Sequence, residues 1–75
     1  MFTKKTYMSF SIKDLQGNVV KECPTFNDVV LFVEKNHNLE FHVYRVYKSW
    51  EDNTVIREGL VAISHDGVVV PENAP

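Results

Sequence analysis

The stretch FHVYRVYKSW, residues 41–50, places large side chains on both faces of one extended segment. Its odd positions begin with Phe41 and Val43, and its even positions begin with the rings of His42 and Tyr44. Such alternation predicts a β-strand, because successive side chains of a strand point to opposite faces. A strand with bulky groups on both faces is either buried on both sides or keeps one face for a partner.

The composition predicts one small globular domain without a strong electrostatic bias. The chain has 75 residues, 44% of them hydrophobic and 24% charged, which is close to the lower size limit for a self-sufficient core. Ten acidic and eight basic residues leave a formal net charge of −2. This balance argues against a duplex-binding protein, which needs a basic excess, and against a nucleic-acid mimic, which needs a carboxylate array.

Cysteine usage and hydropathy predict a cytoplasmic protein with no membrane partner. Cys23 is the single cysteine, so no intramolecular disulfide can form, and we interpret it as a small core residue. The start MFTKKTYMSF lacks the apolar run of a signal peptide. No stretch approaches the length that a transmembrane helix needs.

Alternating apolar residues and turn formers predict the order ββαβββ. Gly17 is expected to take a positive φ, and the pair Asp66 and Gly67 favours a primed hairpin turn. We expect an α+β domain over residues 1–75, with an antiparallel sheet of four to five strands, one helix packed on one face and a frayed tail at residues 71–75. The predicted strands are residues 6–13, 19–23, 39–49, 54–64 and 68–70.

The predicted helix lies between the second and third strands. Its expected N-cap is Thr25, whose hydroxyl can accept from the N–H of Asp28 while the Asp28 carboxylate reaches back in a capping box. Its end is expected near residues 36–38, with an asparagine in the left-handed conformation. Helical spacing predicts one apolar stripe made of Phe26, Val29, Val30 and Val33.

Leu31 and Phe32 fall outside that stripe. Counting 100° per residue, Leu31 lies nearly opposite it and Phe32 lies on its flank. In one interpretation Phe32 wraps onto the edge of the sheet and Leu31 is an ordinary exposed leucine. In the other, the two side chains belong to an interface.

The long hairpin is expected to extend beyond the helix. A helix of about a dozen residues spans about 18 Å, whereas a ten-residue strand spans about 33 Å. We therefore expect a two-stranded arm in which Glu58 lies opposite either Arg45 or Val46. The inner face is expected to contain Leu39, Phe41, Val43, Val61 and Ile63.

The arm and the even-numbered face carry rings and cations of the types that are frequent in binding hot spots. We interpret them as a contact surface rimmed by charge. The alternative is that the C-terminal strand or tail covers this face and makes it core. The candidate partner-binding residues are His42, Tyr44, Arg45, Tyr47, Lys48, Trp50 and Arg57, with Leu31 and Phe32 as a second surface.

Catalytic and metal-binding patterns are not found in the sequence. His37, His42 and His65 lack metal-ligand spacing, and no serine or cysteine lies in a nucleophile motif. We therefore expect no catalytic residue, no metal and no cofactor. Protein binding, including self-association as a homodimer, is the leading interpretation, because open strand edges can pair with another chain.

Single-stranded nucleic-acid binding is the alternative function. Rings at Tyr44, Tyr47 and Trp50 interleave with cations in the manner of a stacking platform. The acidic Glu51 and Asp52 follow directly and would repel a phosphate backbone.

A short lysine-bearing start (MFTKKTYMSF), a β-hairpin, the helix PTFNDVVLFVEKNHN and the return strand HVYRVYKSW together resemble small phage-encoded accessory proteins. The resemblance is one of size and build, and it carries over no functional residue. Many such viral proteins, anti-CRISPR proteins among them, bind and block a host enzyme or defence complex. The resemblance therefore implies an inhibitor that acts by occlusion on a host protein in the host cytoplasm.

Overall fold

The computed structural model describes residues 5–72, which form an α+β domain as predicted. Its elements are β1 (Thr6–Lys13), β2 (Val19–Cys23), α1 (Phe26–Lys35), β3 (His42–Ser49), β4 (Val55–His65) and β5 (Val68–Pro71). The five strands form one antiparallel sheet in the order β2-β1-β3-β4-β5. The helix packs on one face of this sheet, here called the helix face, and the opposite side is called the outer face.

The hairpin turns follow the predicted chemistry. Gly17 has a φ of +90°, and a carboxylate oxygen of Asp14 accepts hydrogen bonds of 2.9 Å from the N–H groups of Gln16 and Asn18. These bonds lower the pKa of the Asp14 carboxyl, the largest contribution coming from the N–H of Asn18. The β1–β2 hairpin is therefore closed by a turn whose carboxylate binds its own backbone.

The turn between β4 and β5 is of the primed type, as predicted. Asp66 has a φ of +51° and Gly67 a φ of +81°, so both central residues lie in the left-handed region. Gly67 also lies against the residue that follows the helix: a Cβ at this position would be 2.7 Å from the Cβ of His37. The turn thus needs glycine for its backbone conformation and for its close approach to His37.

The helix begins as predicted and ends differently. The Thr25 hydroxyl accepts from the N–H of Asp28 at 3.2 Å, but the Asp28 carboxylate accepts from that hydroxyl rather than from the Thr25 backbone. The expected left-handed asparagine is wrong, because Asn36 has a φ of −118° and Asn38 does not have a positive φ either. Instead, its side-chain amide and its backbone N–H both donate to the carbonyl of Phe32.

The core lies between the helix and one half of the sheet. Val29 and Val33 of the predicted stripe are fully buried, and Val30 is half-buried. Phe26 packs its ring edge-on against Phe10, with 5.4 Å between the ring centroids. The buried apolar residues of this core are Phe10, Ile12, Cys23, Val29, Val33, Phe41, Val43 and Ala62.

The expected inner face is correct for Phe41 and Val43 and wrong for two other residues. Leu39 is exposed, because β3 begins at His42 and Leu39 donates its N–H to the carbonyl of Asn36 in the preceding turn. Ile63 lies on the outer face opposite His42.

An irregularity in the pairing of β3 with β4 explains the reversal at Ile63. The register shifts between Val43, which pairs with Ala62, and Tyr44, which pairs with Leu60. Val61 is the extra residue at this bulge. Strict alternation would place Val61 and Ile63 toward the core, but because of the bulge Ala62 takes the buried position. A single inserted residue thus reverses the faces of the second half of β4.

Part of the expected frayed tail belongs to the sheet. Pro71 pairs with Ala62, and the N–H of Glu72 donates to the carbonyl of Val61 at 2.8 Å. The expectation of a frayed segment is therefore wrong for these two residues, and its remainder, residues 73–75, lies outside the described residues.

Candidate partner-binding site

The sheet extends beyond the helix, as expected, but the extension has three strands instead of two. Residues 6–10 of β1, 45–49 of β3 and 55–59 of β4 pair with one another at and beyond the last pair of β2, which joins Cys23 to Phe10. This three-stranded extension, with its connecting turn, is called the distal arm. The third strand gives the arm the pairing that an isolated hairpin lacks.

Two rows of side chains cross the helix face of the distal arm. In the first, Phe10 lies opposite Arg45, and Arg45 lies opposite Gly59. In the second, Met8 lies opposite Tyr47 and Tyr47 lies opposite Arg57. Because Gly59 has no side chain, these rows leave a cavity of about 230 Å³, here called the arginine cleft; it is lined by Arg45, Tyr47, Arg57, Glu58, Gly59, Leu60 and Val61.

Two guanidinium groups flank one phenol in the arginine cleft. The Cζ atom of Arg57 lies 4.8 Å from the ring centroid of Tyr47, in cation–π geometry. Hydrogen bonding from Arg45 lowers the pKa of the Tyr47 phenol, and the charges of Arg45 and Arg57 add to this effect. Desolvation opposes the shift without reversing it. The cleft therefore favours negative charge at the phenol oxygen.

The arginines of the cleft form no ion pair with any acidic residue among residues 5–72. The alternative left open by the sequence, Glu58 opposite Arg45 or Val46, is decided for Val46. Glu58 thus points to the outer face, where its carboxylate lies 3.1 Å from the Nζ of Lys13. The arginine cleft therefore retains two positive charges with no carboxylate partner in the described chain.

The even-numbered candidates His42, Tyr44 and Lys48 lie on the outer face, where charged side chains lie across part of the sheet. The Nζ of Lys48 lies 3.0 Å from a carboxylate oxygen of Glu22, and the Nζ of Lys13 lies 4.3 Å from the ring centroid of Tyr44. Val46, between these pairs, is only 1% exposed although it faces away from the helix. We attribute its burial to the long lysine stems lying across the sheet.

The C-terminal strand does not cover the outer face. β5 extends the sheet beside β4, so the alternative that this strand makes the outer face core is wrong for the described residues. His42 and Tyr44 are half-buried there. Further out on the same face, Leu60, Ile63 and Val70 remain exposed. This half of the outer face is apolar, whereas the half over Val46 carries the ion pairs.

The tip of the distal arm holds an exposed indole in one orientation. Trp50 is 64% exposed, and its ring meets the ring of Tyr7 edge-on with 5.2 Å between the centroids. The Tyr7 hydroxyl donates to the Asn53 side chain at 2.7 Å, and the backbone N–H of Trp50 donates to the carbonyl of Lys5 at 2.9 Å. Val55, next to this turn, is also exposed. The tip is therefore an apolar surface supported from beneath.

Leu31 and Phe32 lie away from the distal arm. Phe32 packs against Phe41, with 5.4 Å between the ring centroids, and Leu31 is exposed. Both line a cavity of about 410 Å³ between the helix and β2. The predicted site residues therefore divide into the arginine cleft (Arg45, Tyr47, Arg57), the outer face (His42, Tyr44, Lys48), the tip (Trp50) and this helix flank.

Sequence reasoning missed two contributors to the distal arm. Tyr7 supports Trp50 from a strand 43 positions away in the chain, and only the pairing of β1 with β3 reveals this. Gly59 opens the arginine cleft, and its signal was present: a glycine inside a strand pattern marks a close approach or a missing side chain.

Comparison of the chain with protein-family models, curated proteins and solved structures finds no match in any of the three. No helix within residues 5–72 has the length and hydropathy needed to cross a membrane. The same residues hold no group of three or more histidine, cysteine or acidic side chains placed to bind a metal ion.

Proposed function

We propose that this protein is a small non-enzymatic module that binds another protein through its distal arm. The observation that carries the proposal is the supported, exposed Trp50 at the tip, with Val55 and Ile56 exposed beside it. Burying a large ring that is already fixed in orientation gains apolar contact at little cost in side-chain entropy. The arginine cleft on the same arm supplies charge to fix the register of the partner.

The resemblance to small phage-encoded inhibitors implies what such binding does. An arm that projects from a compact core can cover a substrate or effector site of a larger host protein in the host cytoplasm, and occlusion needs no chemistry from the inhibitor.

Single-stranded nucleic-acid binding is the second candidate. One observation favours it: the carbonyl of Lys5 accepts from Trp50, so a basic N-terminal residue lies at the aromatic tip. Exposed Glu51 and Asp52 lie in the same turn and oppose a phosphate backbone. A steep loss of binding with rising salt distinguishes this candidate from an apolar contact at Trp50.

Affinity capture from a bacterial lysate, followed by mass spectrometry, tests the proposal. The wild-type chain is expected to retain one stoichiometric protein, and Trp50→Ala is expected to lose it while keeping its far-ultraviolet circular dichroism. Leu15→Ala, at a leucine that is as exposed as Trp50 but lies in the β1–β2 turn, is the matched control and is expected to retain the partner.

Two results would contradict protein binding through the arm. One is capture of nucleic acid alone, which favours the second candidate. The other is equal capture by the wild type and Trp50→Ala. Light scattering of the purified chain separately reports whether the partner is a second copy of the protein.

A further inference from the structure

Within residues 5–72, the outer edge of β4 is unpaired along the distal arm. β5 pairs only with residues 62–65 of β4, and the last described bond on this edge joins Glu72 to Val61. Among the described residues no strand pairs with the outer edge of residues 55–60. The pairing with β3 shifts register at Ile56 and again at Val61, so the regular part of this edge is residues 57–60. Alternate N–H and C=O groups of residues 57–60 therefore point outward, in the arrangement that accepts an added strand.

Gly59 has no side chain that would separate this open edge from the Arg45 side chain. Arg45 on β3 lies directly opposite Gly59 on β4, and a Cβ at Gly59 would meet no atom within 4 Å. Nothing on β4 therefore stands between the Arg45 side chain and the position that an added strand would occupy. The distance from the backbone of Arg45 to the backbone of an added strand is about two strand spacings, roughly 10 Å. An arginine and a glutamate side chain that extend toward each other from these two strands together span this distance.

Arg57 and Gly59 lie two residues apart on the same face of β4. Residues opposite them on an added strand would also be two apart and on the helix face. One of these positions faces Arg57 directly, and the other faces Arg45 across Gly59. Neither the Arg45 nor the Arg57 guanidinium has a carboxylate partner among residues 5–72. Acidic side chains at these two alternate positions of the added strand would therefore form charge-assisted hydrogen bonds with them.

We propose that an extended acidic segment of a partner protein adds as a sixth strand to the open edge of β4, with carboxylates at alternate positions bound by Arg57 and Arg45. This inference rests on the proposed function and specifies the chemistry of its partner. The backbone pairing supplies affinity that does not depend on sequence, and the arginine cleft selects the acidic residues and their spacing.

A second copy of the chain fits the same edge poorly. A two-fold axis between two antiparallel β4 edges keeps the helices on one side, so residues of the same face must meet. The registers centred on Arg57 or on Glu58 place Arg57 opposite Arg57, or Glu58 opposite Glu58, and like charges directly opposite each other destabilise a sheet. The register centred on Gly59 places Arg57 opposite Val61 and Glu58 opposite Leu60, so it gives neither charge an opposite partner. The edge therefore disfavours self-pairing and favours a partner of the opposite charge.

Nucleic acid also fits this edge less well than a peptide. A sugar–phosphate chain has no repeating N–H and C=O groups to pair with a strand edge, so it would leave the edge of residues 55–60 unpaired. The same experiment tests this alternative directly.

The test uses labelled probes and fluorescence anisotropy at low ionic strength, where an ionic contribution is largest. The acidic probe is a peptide of about eight residues that alternates threonine with glutamate, long enough to cover the edge. Its matched control replaces every glutamate with glutamine. A third probe is a thymidine oligonucleotide of similar charge.

We expect the acidic peptide to bind about a hundredfold more tightly than its glutamine control, which lacks both carboxylate contacts. Arg45→Gln and Arg57→Gln are each expected to weaken binding of the acidic peptide about tenfold, because each removes one charge-assisted contact. Gly59→Val is expected to weaken it as well, by standing between the edge and Arg45. Lys21→Gln, which removes an exposed cation from β2, is the control and is expected to bind like the wild type.

Hydrogen exchange separates strand addition from ion pairing alone. Backbone amides within residues 55–60 are expected to gain protection when the acidic peptide is bound. Equal binding of the acidic and glutamine peptides, unchanged binding by both arginine variants, or no added protection at residues 55–60 would overturn the inference. Oligonucleotide binding with the same arginine dependence would also overturn it, by assigning the cleft to phosphate.

The two proposals fail in different ways. If capture from the lysate depends on Trp50 and is unaffected by Arg45→Gln and Arg57→Gln, the module binds a protein but not through strand addition. If capture is independent of Trp50, the proposed function itself is wrong. The arginine variants are read alongside circular dichroism, so that loss of fold is distinguished from loss of contact.

Discussion

At the scale of single residues, the pairing of Arg45 shows how one step of register changes chemistry. Opposite Glu58, Arg45 would have formed a cross-strand ion pair and the arm would have been electrostatically closed. Opposite Gly59, as observed, its guanidinium remains available and lies beside the phenol of Tyr47. Glu58 is meanwhile held by Lys13 on the other face.

The pKa of Tyr47 reports this arrangement. We expect Arg45→Gln to raise the pKa of the Tyr47 phenol toward its usual value, because the largest cause of the lowered pKa is hydrogen bonding from Arg45. Absorbance of tyrosinate during an alkaline titration measures the shift, and subtraction of the same titration for Tyr47→Phe isolates the residue. Lys21→Gln serves as the control, with no expected change.

The sign of the linked effect on stability follows from the direction of the shift. A lowered phenol pKa means that folding stabilises the ionised form, so the contribution is present above the unfolded-state pKa and is lost as pH falls through the folded-state pKa. An unchanged Tyr47 titration in Arg45→Gln would show that the guanidinium does not act on the phenol.

At the scale of elements, local chemistry decided the turns and the start of the helix. Gly17, the pair Asp66 and Gly67, and the Thr25 cap behave as their residue types predict, because each depends on neighbours within four positions. The bulge at Val61 was not predictable in this way. The segment VAIS, residues 61–64, carries side chains that could be buried on either face of the strand. Which of its faces is buried depends on packing against α1 and on pairing with β3 and β5.

Gly67→Ala is expected to destabilise the fold by about 1–3 kcal/mol, because it combines a positive φ with a Cβ that would collide with His37. The midpoint of urea unfolding, followed by circular dichroism, measures the change. Gly59→Ala is the matched control: this strand glycine has open space around its Cα, and alanine there is expected to leave stability unchanged or slightly raised. Equal effects of the two substitutions would contradict this account of the turn.

At the scale of the whole molecule, the protein divides into a packed end and a projecting end. The helix, of ten residues, spans about 15 Å and covers one half of a sheet whose longest strand, of eleven residues, spans about 36 Å. The molecule is accordingly elongated, with principal extents of 47 × 28 × 23 Å. The core lies in the covered half, and the proposed binding surfaces lie in the uncovered half.

The thiol of Cys23 is expected to report unfolding of the packed end. Burial raises the pKa of this thiol, which is 1% exposed at the end of β2, so it reacts only when that strand separates from the core. A disulfide reagent should modify it slowly in native buffer, and the rate should rise with urea in step with the loss of circular dichroism. A second thiol introduced by Asn27→Cys, at an exposed position, should react at once. Rapid modification of Cys23 in native buffer would contradict its place in the core.

The sequence by itself determined the order of elements, the turn types, the helix cap and the excess of strand length over helix length. These depend on local periodicity, on backbone preferences of a few residues and on simple lengths. Only the tertiary structure decided that β1 makes the arm three-stranded, that Val61 reverses the faces of β4, and that Arg45 meets Gly59 instead of Glu58. Strand order and register are set by contacts between residues far apart in the chain. Several pairings are compatible with the local pattern, and that pattern does not encode which of them buries the most apolar surface and leaves the fewest charges unmatched.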